Sequence, residues 1–250
     1  MRNVGAALRG RPSPCNMVVE LDNVVPWGRS LDEYRLMFAM TEADLDLRII
    51  GCGDGPASFN SEMAALGRRV TSINPIYGLS KQQIRLRIDE THQSILSQVK
   101  LSTDDYAWKN FRDPDELCRH RLETMDRFLE DYEAGISEGR YLPESLPSLS
   151  FQNGAFDLAL CSHLLFLFSE QLSLDFHKAA IRELCRVAKE VRIFPLLALD
   201  CKRSVHVEPV ICELEREGFQ AEIVTVPYEI QRGGDQMMKI SLPRKAQGRF

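Results

Sequence analysis

The sequence lacks a long apolar run, a paired-cysteine motif and clustered histidines. No stretch of 18 apolar residues occurs, so no segment is predicted to cross a membrane. The seven cysteines are scattered singly without a C-x-x-C pair, which favours reduced thiols in a cytoplasmic protein. The five histidines show no ligand spacing, so we expect no metal site.

An excess of positive charge is also missing. The formal net charge is −5 at pH 7, which gives no field to attract nucleic acid or an anionic membrane surface. We therefore expect neither as a partner. A chain of 250 residues with 44% hydrophobic content can bury one sizeable core. The composition predicts a mobile, Arg-, Gly- and Pro-containing tail over residues 1–24 and a single domain over residues 25–250. The oligomeric state is left open.

Three glycines follow the first predicted strand. The segment at residues 48–59 reads RIIGCGDGPASF, and Gly51, Gly53 and Gly55 lie within five residues of one another. An apolar strand precedes them, and a helix that begins at Pro56 and a second strand follow. The order strand, glycine turn, helix, strand predicts the first half of a doubly wound parallel sheet.

The later sequence keeps the alternation of strand and helix. We predict a strand at residues 155–162, a helix at 174–190 and a strand at 191–199 that becomes irregular at Pro195. A helix at 207–218 comes next. Two strands then close the chain with no helix between them, which predicts an antiparallel pair at the sheet edge. The fold class predicted is α/β, with a doubly wound, mostly parallel sheet.

Residues 78–140 interrupt this alternation with two long helices. The first begins at the capping box formed by Ser80 and Gln83, and the second begins at Asp113 and Pro114. They exceed what a simple crossover needs. We therefore predict a helical cap beside the ligand crevice.

The spacing of the glycines distinguishes this turn from two known phosphate-binding turns. G-x-G-x-G does not match the dinucleotide fingerprint G-x-G-x-x-G, and no Gly-Lys-Ser/Thr follows for a phosphate loop. A nicotinamide-dependent oxidoreductase is therefore disfavoured. A glycine turn that serves only to reverse the chain tightly stays open as an interpretation.

Two motifs together resemble the class I S-adenosylmethionine-dependent methyltransferases. LRIIGCGDG looks like the first motif of that family, and LPSLSFQNGAFDLALCSHLLFLF at residues 146–168 is similar to its run from the third to the fourth motif. The resemblance covers most of the chain. It implies a Rossmann-like, seven-stranded sheet with an antiparallel terminal strand, S-adenosylmethionine as the cofactor, and methyl transfer to an acceptor.

The resemblance also implies the residues of the cofactor site. Gly51, Cys52 and Gly53 would line the amino acid part, with Gly55 in the same turn. Asn74 would face the ribose. Pro75, Ser145 and Leu146 would lie around the adenine. Ser162 would lie under the methyl-bearing end.

Three further side chains have two interpretations each. Arg29 could clamp the cofactor carboxylate through its bidentate fork, or it could be a solvated arginine at a helix start. Asp54 could contact the cofactor amino group or bond its own turn. His163, after the fourth strand, is the candidate general base, although a lone histidine is often structural.

The acceptor is expected to be a small molecule in a pocket defined by the helical cap. The Asn-Pro-Pro-Tyr signature of amide and base amino methylation is absent after the fourth strand, which disfavours an exocyclic base nitrogen as the acceptor. An alternative comes from three positions where the family often carries an acid. Here they are Ile49, Asn74 and Ser145. These replacements raise the possibility of a methyltransferase-like binding or regulatory protein without catalysis.

Overall fold

The computed structural model describes residues 26–241, so the predicted tail over residues 1–24 lies outside the described part of the chain. Residues 26–241 contain six α-helices and seven β-strands. The helices are α1 (Leu31–Met37), α2 (Phe59–Ala65), α3 (Lys81–Leu101), α4 (Pro114–Ser137), α5 (Leu174–Val187) and α6 (Val207–Arg216). The strands are β1 (Ile49–Cys52), β2 (Val70–Ile73), β3 (Tyr141–Leu142), β4 (Phe156–Ser162), β5 (Ala188–Phe194), β6 (Gln220–Thr225) and β7 (Gln236–Ser241).

All seven strands form one sheet in the order β3-β2-β1-β4-β5-β7-β6. The first five strands pair in parallel, and β7 runs antiparallel to both of its neighbours, β5 and β6. The predicted fold class, a doubly wound and mostly parallel sheet with an antiparallel terminal strand, is confirmed. The strand order reverses between β1 and β4, and ligands of such sheets bind beyond the carboxyl ends of the strands at this point.

Alternating side chains of β1 divide the interior between the two faces of the sheet. Ile50 and Cys52 belong to the core that packs under α5 and α6. Ile49 belongs to the core under α1 and α2 on the opposite face. This period of two places Gly51 on the face of α1 and α2, where its lack of a side chain leaves space.

Several predicted boundaries match the structure, and two do not. The capping box predicted at Ser80 is formed, and β5 ends directly before Pro195. The helix predicted to reach residue 190 ends at Val187, because residues 188–194 instead pair with β4 as a strand. The prediction that the helix after the glycine turn starts at Pro56 is also wrong. It starts at Phe59, and Pro56 lies in the turn against Gly28.

The helices α3 and α4 connect β2 to β3. Near its C-terminus, Asp131 pairs with Arg140 beside β3, at one edge of the sheet. In its N-terminal half, Arg121 donates to the hydroxyl of Tyr228 in the connection between β6 and β7. Arg121 and Asp131 are ten residues apart, ~15 Å along the helix. The helix α4 therefore contacts both β3 and the connection between β6 and β7, and the helical cap beside the ligand crevice stays a prediction.

Candidate functional site

Gly53 brings the turn after β1 close to the end of β4. Its φ of +79° lies in the left-handed region, and a Cβ there would lie 2.8 Å from the carbonyl oxygen of Ser162 and 2.9 Å from the Cβ of Leu164. Both features require glycine. Gly53 is half-buried, so its backbone borders the crevice at the reversal of strand order.

Gly51 serves a different purpose from Gly53. A Cβ on Gly51 would collide with the carboxylate of Asp54, which folds back over the strand end. That carboxylate is buried and accepts hydrogen bonds of 2.6 Å from the hydroxyls of Tyr34 and Ser72. The first glycine therefore makes room for a buried acid, whose side chain bonds α1 and β2.

Burial raises the pKa of Asp54 to about 6, although hydrogen bonds from Ser72 and Tyr34 act in the opposite direction. A carboxyl whose folded-state pKa exceeds its ordinary value of 3.8 destabilises the folded state once it ionises. That destabilisation is absent below pH 3.8, grows as the pH rises from 3.8 to about 6, and is complete above pH 6. A shift of about two pKa units corresponds to about 3 kcal/mol.

We therefore expect Asp54→Asn to stabilise the protein at pH 8 by up to about 3 kcal/mol and by about half as much at pH 5. Urea unfolding at the two pH values measures this. The exposed Asp32→Asn is the matched control and should show no pH-dependent gain. An Asp54→Asn protein that is less stable than wild type by the same amount at both pH values would contradict the assignment.

His163 follows β4 in a constrained position. Its φ of +48° is uncommon for a residue other than glycine, its backbone N–H donates to the carbonyl of Phe194 at 2.7 Å, and its ring lies edge-on to that of Phe194. Its Nδ1 lies 3.0 Å from the Oγ of Ser162. Burial, together with the charges of Arg29 and Arg121, holds the pKa of His163 well below its ordinary value. The imidazole is therefore neutral at pH 7, and one ring nitrogen keeps a lone pair, although the two arginines make it a weaker base than a free imidazole.

Arg29 brings a further positive charge to the same region. Its Nη1 donates to the carbonyl of Trp27 at 2.9 Å, while its Nε is buried without a partner. Within residues 26–241 it forms no ion pair with a carboxylate. Burial and the charge of Arg121 lower its pKa, although a guanidinium stays protonated in proteins. The arrangement leaves a cation that an anionic ligand would stabilise.

A buried ion-pair network lies beside Arg29, and we define it by four residues: Glu33, His120, Arg121 and Tyr228. Glu33 accepts from Arg121 Nη1 at 2.5 Å, from the Tyr228 hydroxyl at 2.6 Å and pairs with His120 Nε2 at 3.0 Å. Arg121 is 1% exposed and also lies over the ring of Trp27. The network joins α1, α4 and the connection between β6 and β7 over the site.

The remaining predicted site residues lie in varied surroundings. Cys52 is buried in the core under α5 and α6, so only its backbone borders the turn. Leu146 is also a core residue, whereas Ser145 and Pro75 are exposed. Asn74 is half-buried and accepts a hydrogen bond from the N–H of Ile76 at 3.0 Å.

The turn residues and the end of β4 do come together. Gly55 has a φ of +55°, and its carbonyl accepts a hydrogen bond of 2.8 Å from Tyr77. Ser162 is 2% exposed and lies against both Gly53 and His163. Gly53, Asp54, Ser162, His163 and Arg29 thus form one group around the reversal of strand order.

Sequence reasoning did not find Tyr34, Ser72, Arg121 or Tyr228. One signal was present for Arg121: it lies four residues after Leu117 and four before Met125, on the apolar face of α4. A charge inside an apolar stripe needs a buried partner. Nothing in the sequence near Glu33 indicates its contact with Arg121.

Residues 26–241 contain neither a cluster of metal ligands nor a helix able to cross a membrane. No group of three or more His, Cys, Asp or Glu residues there is arranged to hold a metal ion. Over the same residues, no helix combines the length and the apolar character needed to cross a membrane.

Comparison with known proteins gives one sequence relative and several similar structures. No family model matches the chain. An uncharacterised protein of Methanocaldococcus jannaschii is 29% identical over 223 residues, which cover 89% of this chain and 98% of the relative.

Two similar solved structures are methyltransferases. The magnesium protoporphyrin IX methyltransferase of Synechocystis is 11% identical with a TM-score of 0.43, and the match covers 85% of this chain and 81% of that protein. The N-methyltransferase NodS of Bradyrhizobium japonicum is 12% identical with a TM-score of 0.42, and the match covers 85% of each chain. Both were crystallised with S-adenosylhomocysteine. Neither likeness decides the activity of this chain, which depends on the residues at its own site.

Those residues are an arginine without a carboxylate partner among residues 26–241, a glycine turn and a neutral histidine, gathered where the strand order of the mostly parallel sheet reverses.

Proposed function

We propose that the chain is an S-adenosylmethionine-dependent methyltransferase that acts on a small-molecule acceptor. The proposal rests on Arg29, whose partly buried guanidinium has no carboxylate partner among residues 26–241. It lies next to Gly28, which packs against the glycine turn. The carboxylate of S-adenosylmethionine is an anion of suitable size and geometry for a guanidinium fork.

The turn and the neighbouring strand ends fit the rest of such a ligand. Gly53 presents bare, half-buried backbone between β1 and β4, where a side chain would collide with Ser162 and Leu164. Asn74 follows β2 and keeps an amide that can donate to a ribose hydroxyl. These positions support an extended cofactor laid across the carboxyl ends of β4, β1 and β2.

When bound, S-adenosylmethionine supplies a methyl group on a sulfonium, which is transferred by in-line displacement. Arg29 would anchor the carboxylate, so that the methyl group is held near the end of β4 in a defined geometry. His163, kept neutral, would accept the proton that the acceptor releases. The helix α4 and Trp27 would exclude water above the site.

A cavity beside the ion-pair network supports a small acceptor. It is an open cleft of about 390 Å³ between α1 and α4. Its lining includes Glu33, Phe111, His120 and Tyr228, but Arg29, Gly53 and His163 do not line it. Pockets of about 300–1,000 Å³ are usual for small-molecule ligands. Glu33 links the cleft to the proposed base, because it lines the cleft and its charge acts on the pKa of His163. We also propose a cytoplasmic location, which suits the free cysteines Cys52, Cys161 and Cys212.

Calorimetric titration of the native protein with S-adenosylmethionine and S-adenosylhomocysteine tests the cofactor assignment. We expect saturable binding of both ligands and a rise in the thermal unfolding midpoint. NAD serves as the control ligand and should give neither response. No heat and no thermal shift at millimolar S-adenosylmethionine would refute the proposal.

A methyltransferase-like binding protein is the second candidate. Ile49, Asn74 and Ser145 replace acids that the family often uses, and the carboxylate of Asp54 is directed at Tyr34 and Ser72. Failure of the folded protein to bind S-adenosylmethionine would favour this second candidate, because the protein would then act without the cofactor.

A further inference from the structure

Three buried polar groups on α4 and on the segment before α1 have no hydrogen-bond partner among residues 26–241. They are Nε of Arg29, Nε of Arg121 and Oγ1 of Thr124. Arg121 and Thr124 are each 1% exposed. Buried polar groups are nearly always hydrogen-bonded, because an unpaired one costs free energy. Such groups indicate a ligand if the two elements that carry them meet.

The segment before α1 lies along the part of α4 that carries two of these groups. The Cζ of Arg121 lies 5.7 Å from the ring centroid of Trp27. One turn further along α4, the Cγ of Met125 lies 3.0 Å from the position that a Cβ on Gly28 would occupy. Thr124 lies between these two contacts, three residues after Arg121 and therefore on the same face of the helix.

Two shared contacts bring the residues around Arg29 to the guanidinium of Arg121. Nη1 of Arg29 donates to the carbonyl oxygen of Trp27, the residue whose ring lies over Arg121. The N–H of Ser30 donates to Oε2 of Glu33 at 3.1 Å, and Nη1 of Arg121 donates to the same oxygen at 2.5 Å. In agreement with this proximity, burial and the charge of Arg121 lower the pKa of Arg29.

The unpartnered groups can all donate, and the charge around them is positive. A guanidinium Nε only donates, and a threonine hydroxyl donates one proton. Two guanidinium groups meet a single carboxylate there, since Glu33 is the one acid bonded to either arginine among residues 26–241. An oxyanion accepts several such hydrogen bonds. An excess of one positive charge matches a carboxylate better than a phosphate dianion.

We propose that Arg121 and Thr124 of α4 join Arg29 in one carboxylate-binding site, so that binding of the carboxylate fastens α4 to the segment before α1. The assignment of this carboxylate to S-adenosylmethionine rests on the proposed function. The site itself does not, since its donors belong to the ligand-free protein. A carboxylate on the acceptor is the other source of the same chemistry.

The site lies beside the glycine turn and is covered in the ligand-free protein. A Cβ on Gly28 would collide with the carbonyl oxygen of Pro56, which lies in that turn. The half-buried rings of Trp27 and Phe111 lie 5.7 and 5.6 Å from the Cζ of Arg121. A carboxylate therefore reaches the donors by displacing one of these rings.

Thr124→Val separates a ligand-binding role from a structural one. Valine keeps the shape of threonine and lacks the hydroxyl. Because Oγ1 has no partner among residues 26–241, the unfolding midpoint of ligand-free Thr124→Val should equal or exceed that of the native protein. Its affinity for S-adenosylmethionine should fall about tenfold, the effect of one hydrogen bond to a charged group. Thr124→Ser keeps the hydroxyl and should keep the native affinity.

Thr91→Val is the matched control. Thr91 lies on the other long helix, α3, and its Oγ1 donates to the carbonyl oxygen of Arg87 at 2.7 Å. Its hydroxyl is thus satisfied within its own helix. We expect Thr91→Val to bind S-adenosylmethionine as the native protein does.

Sodium formate, compared with sodium chloride at equal ionic strength, probes the site without the cofactor. Formate should raise the unfolding midpoint of the native and Thr91→Val proteins and raise that of Thr124→Val less. No rise in the native protein, or an equal rise in the native and Thr124→Val proteins, would overturn the proposal.

Titration with S-adenosylmethionine then identifies the source of the carboxylate. A weaker affinity in Thr124→Val assigns it to S-adenosylmethionine. An unchanged affinity, with the formate responses still different, supports the site and assigns the carboxylate to the acceptor. Failure of S-adenosylmethionine to bind the native protein would refute the proposed function, and the formate responses would still decide this proposal.

Discussion

Glu33→Gln is expected to lower the free energy of unfolding by about 3–5 kcal/mol, because it leaves Arg121 as an uncompensated cation in the interior. The Arg121 guanidinium is 1% exposed, and Glu33 is its carboxylate partner. Glu33 itself is 4% exposed, yet the charge of Arg121 and three hydrogen bonds hold its pKa well below the ordinary value against the effect of burial. Urea unfolding at pH 7 measures the loss.

Glu42→Gln is the matched control for this substitution. Glu42 also pairs with an arginine, Arg35, but its side chain is 77% exposed. Exposed pairs contribute about 0–1 kcal/mol, so this change should have little effect. Replacing both members of the buried pair, in Glu33→Gln with Arg121→Met, should recover part of the loss. Equal effects of Glu33→Gln and Glu42→Gln would show that the network does not fix α4 over the site.

Arg29→Gln is expected to weaken binding of S-adenosylmethionine by about 10- to 100-fold, the range for a lost hydrogen-bonded charge contact. The unfolding midpoint should stay the same or rise, because burial and Arg121 already disfavour the Arg29 cation. Arg35→Gln, which removes an arginine from the outer side of α1, is the matched control for binding. Equal affinities of native and Arg29→Gln proteins would refute the carboxylate contact.

The sequence predicted the long strands of the sheet better than it predicted the short strand β3 and the end of α5. Strand β4 and the antiparallel closing pair were predicted because apolar runs and the missing helix between the last two strands are local signals. Strand β3 is two residues long, Tyr141–Leu142, and carries no periodicity to detect. The end of α5 was misplaced, since pairing with β4 rather than local propensity decides where residues 188–190 lie.

The site residues that were predicted correctly are those whose positions follow from the ends of neighbouring parallel strands. Gly53, Ser162 and His163 lie at strand ends, and parallel strands bring such positions together. The side chain of Asp54 was not placed by sequence, because its two partners are 20 and 18 residues away. Glu33 is 88 residues from Arg121 and 195 from Tyr228, so only the folded chain shows that the three meet.

Four titrations test the central claim that Arg29 binds the carboxylate of S-adenosylmethionine. Native and Arg29→Gln proteins are each titrated with S-adenosylmethionine and with its decarboxylated analogue. If the claim holds, the native protein prefers the intact ligand by about 10- to 100-fold, and Arg29→Gln shows little preference, because the contact is absent from three of the four combinations. The same preference in both proteins, or none in the native protein, would contradict it.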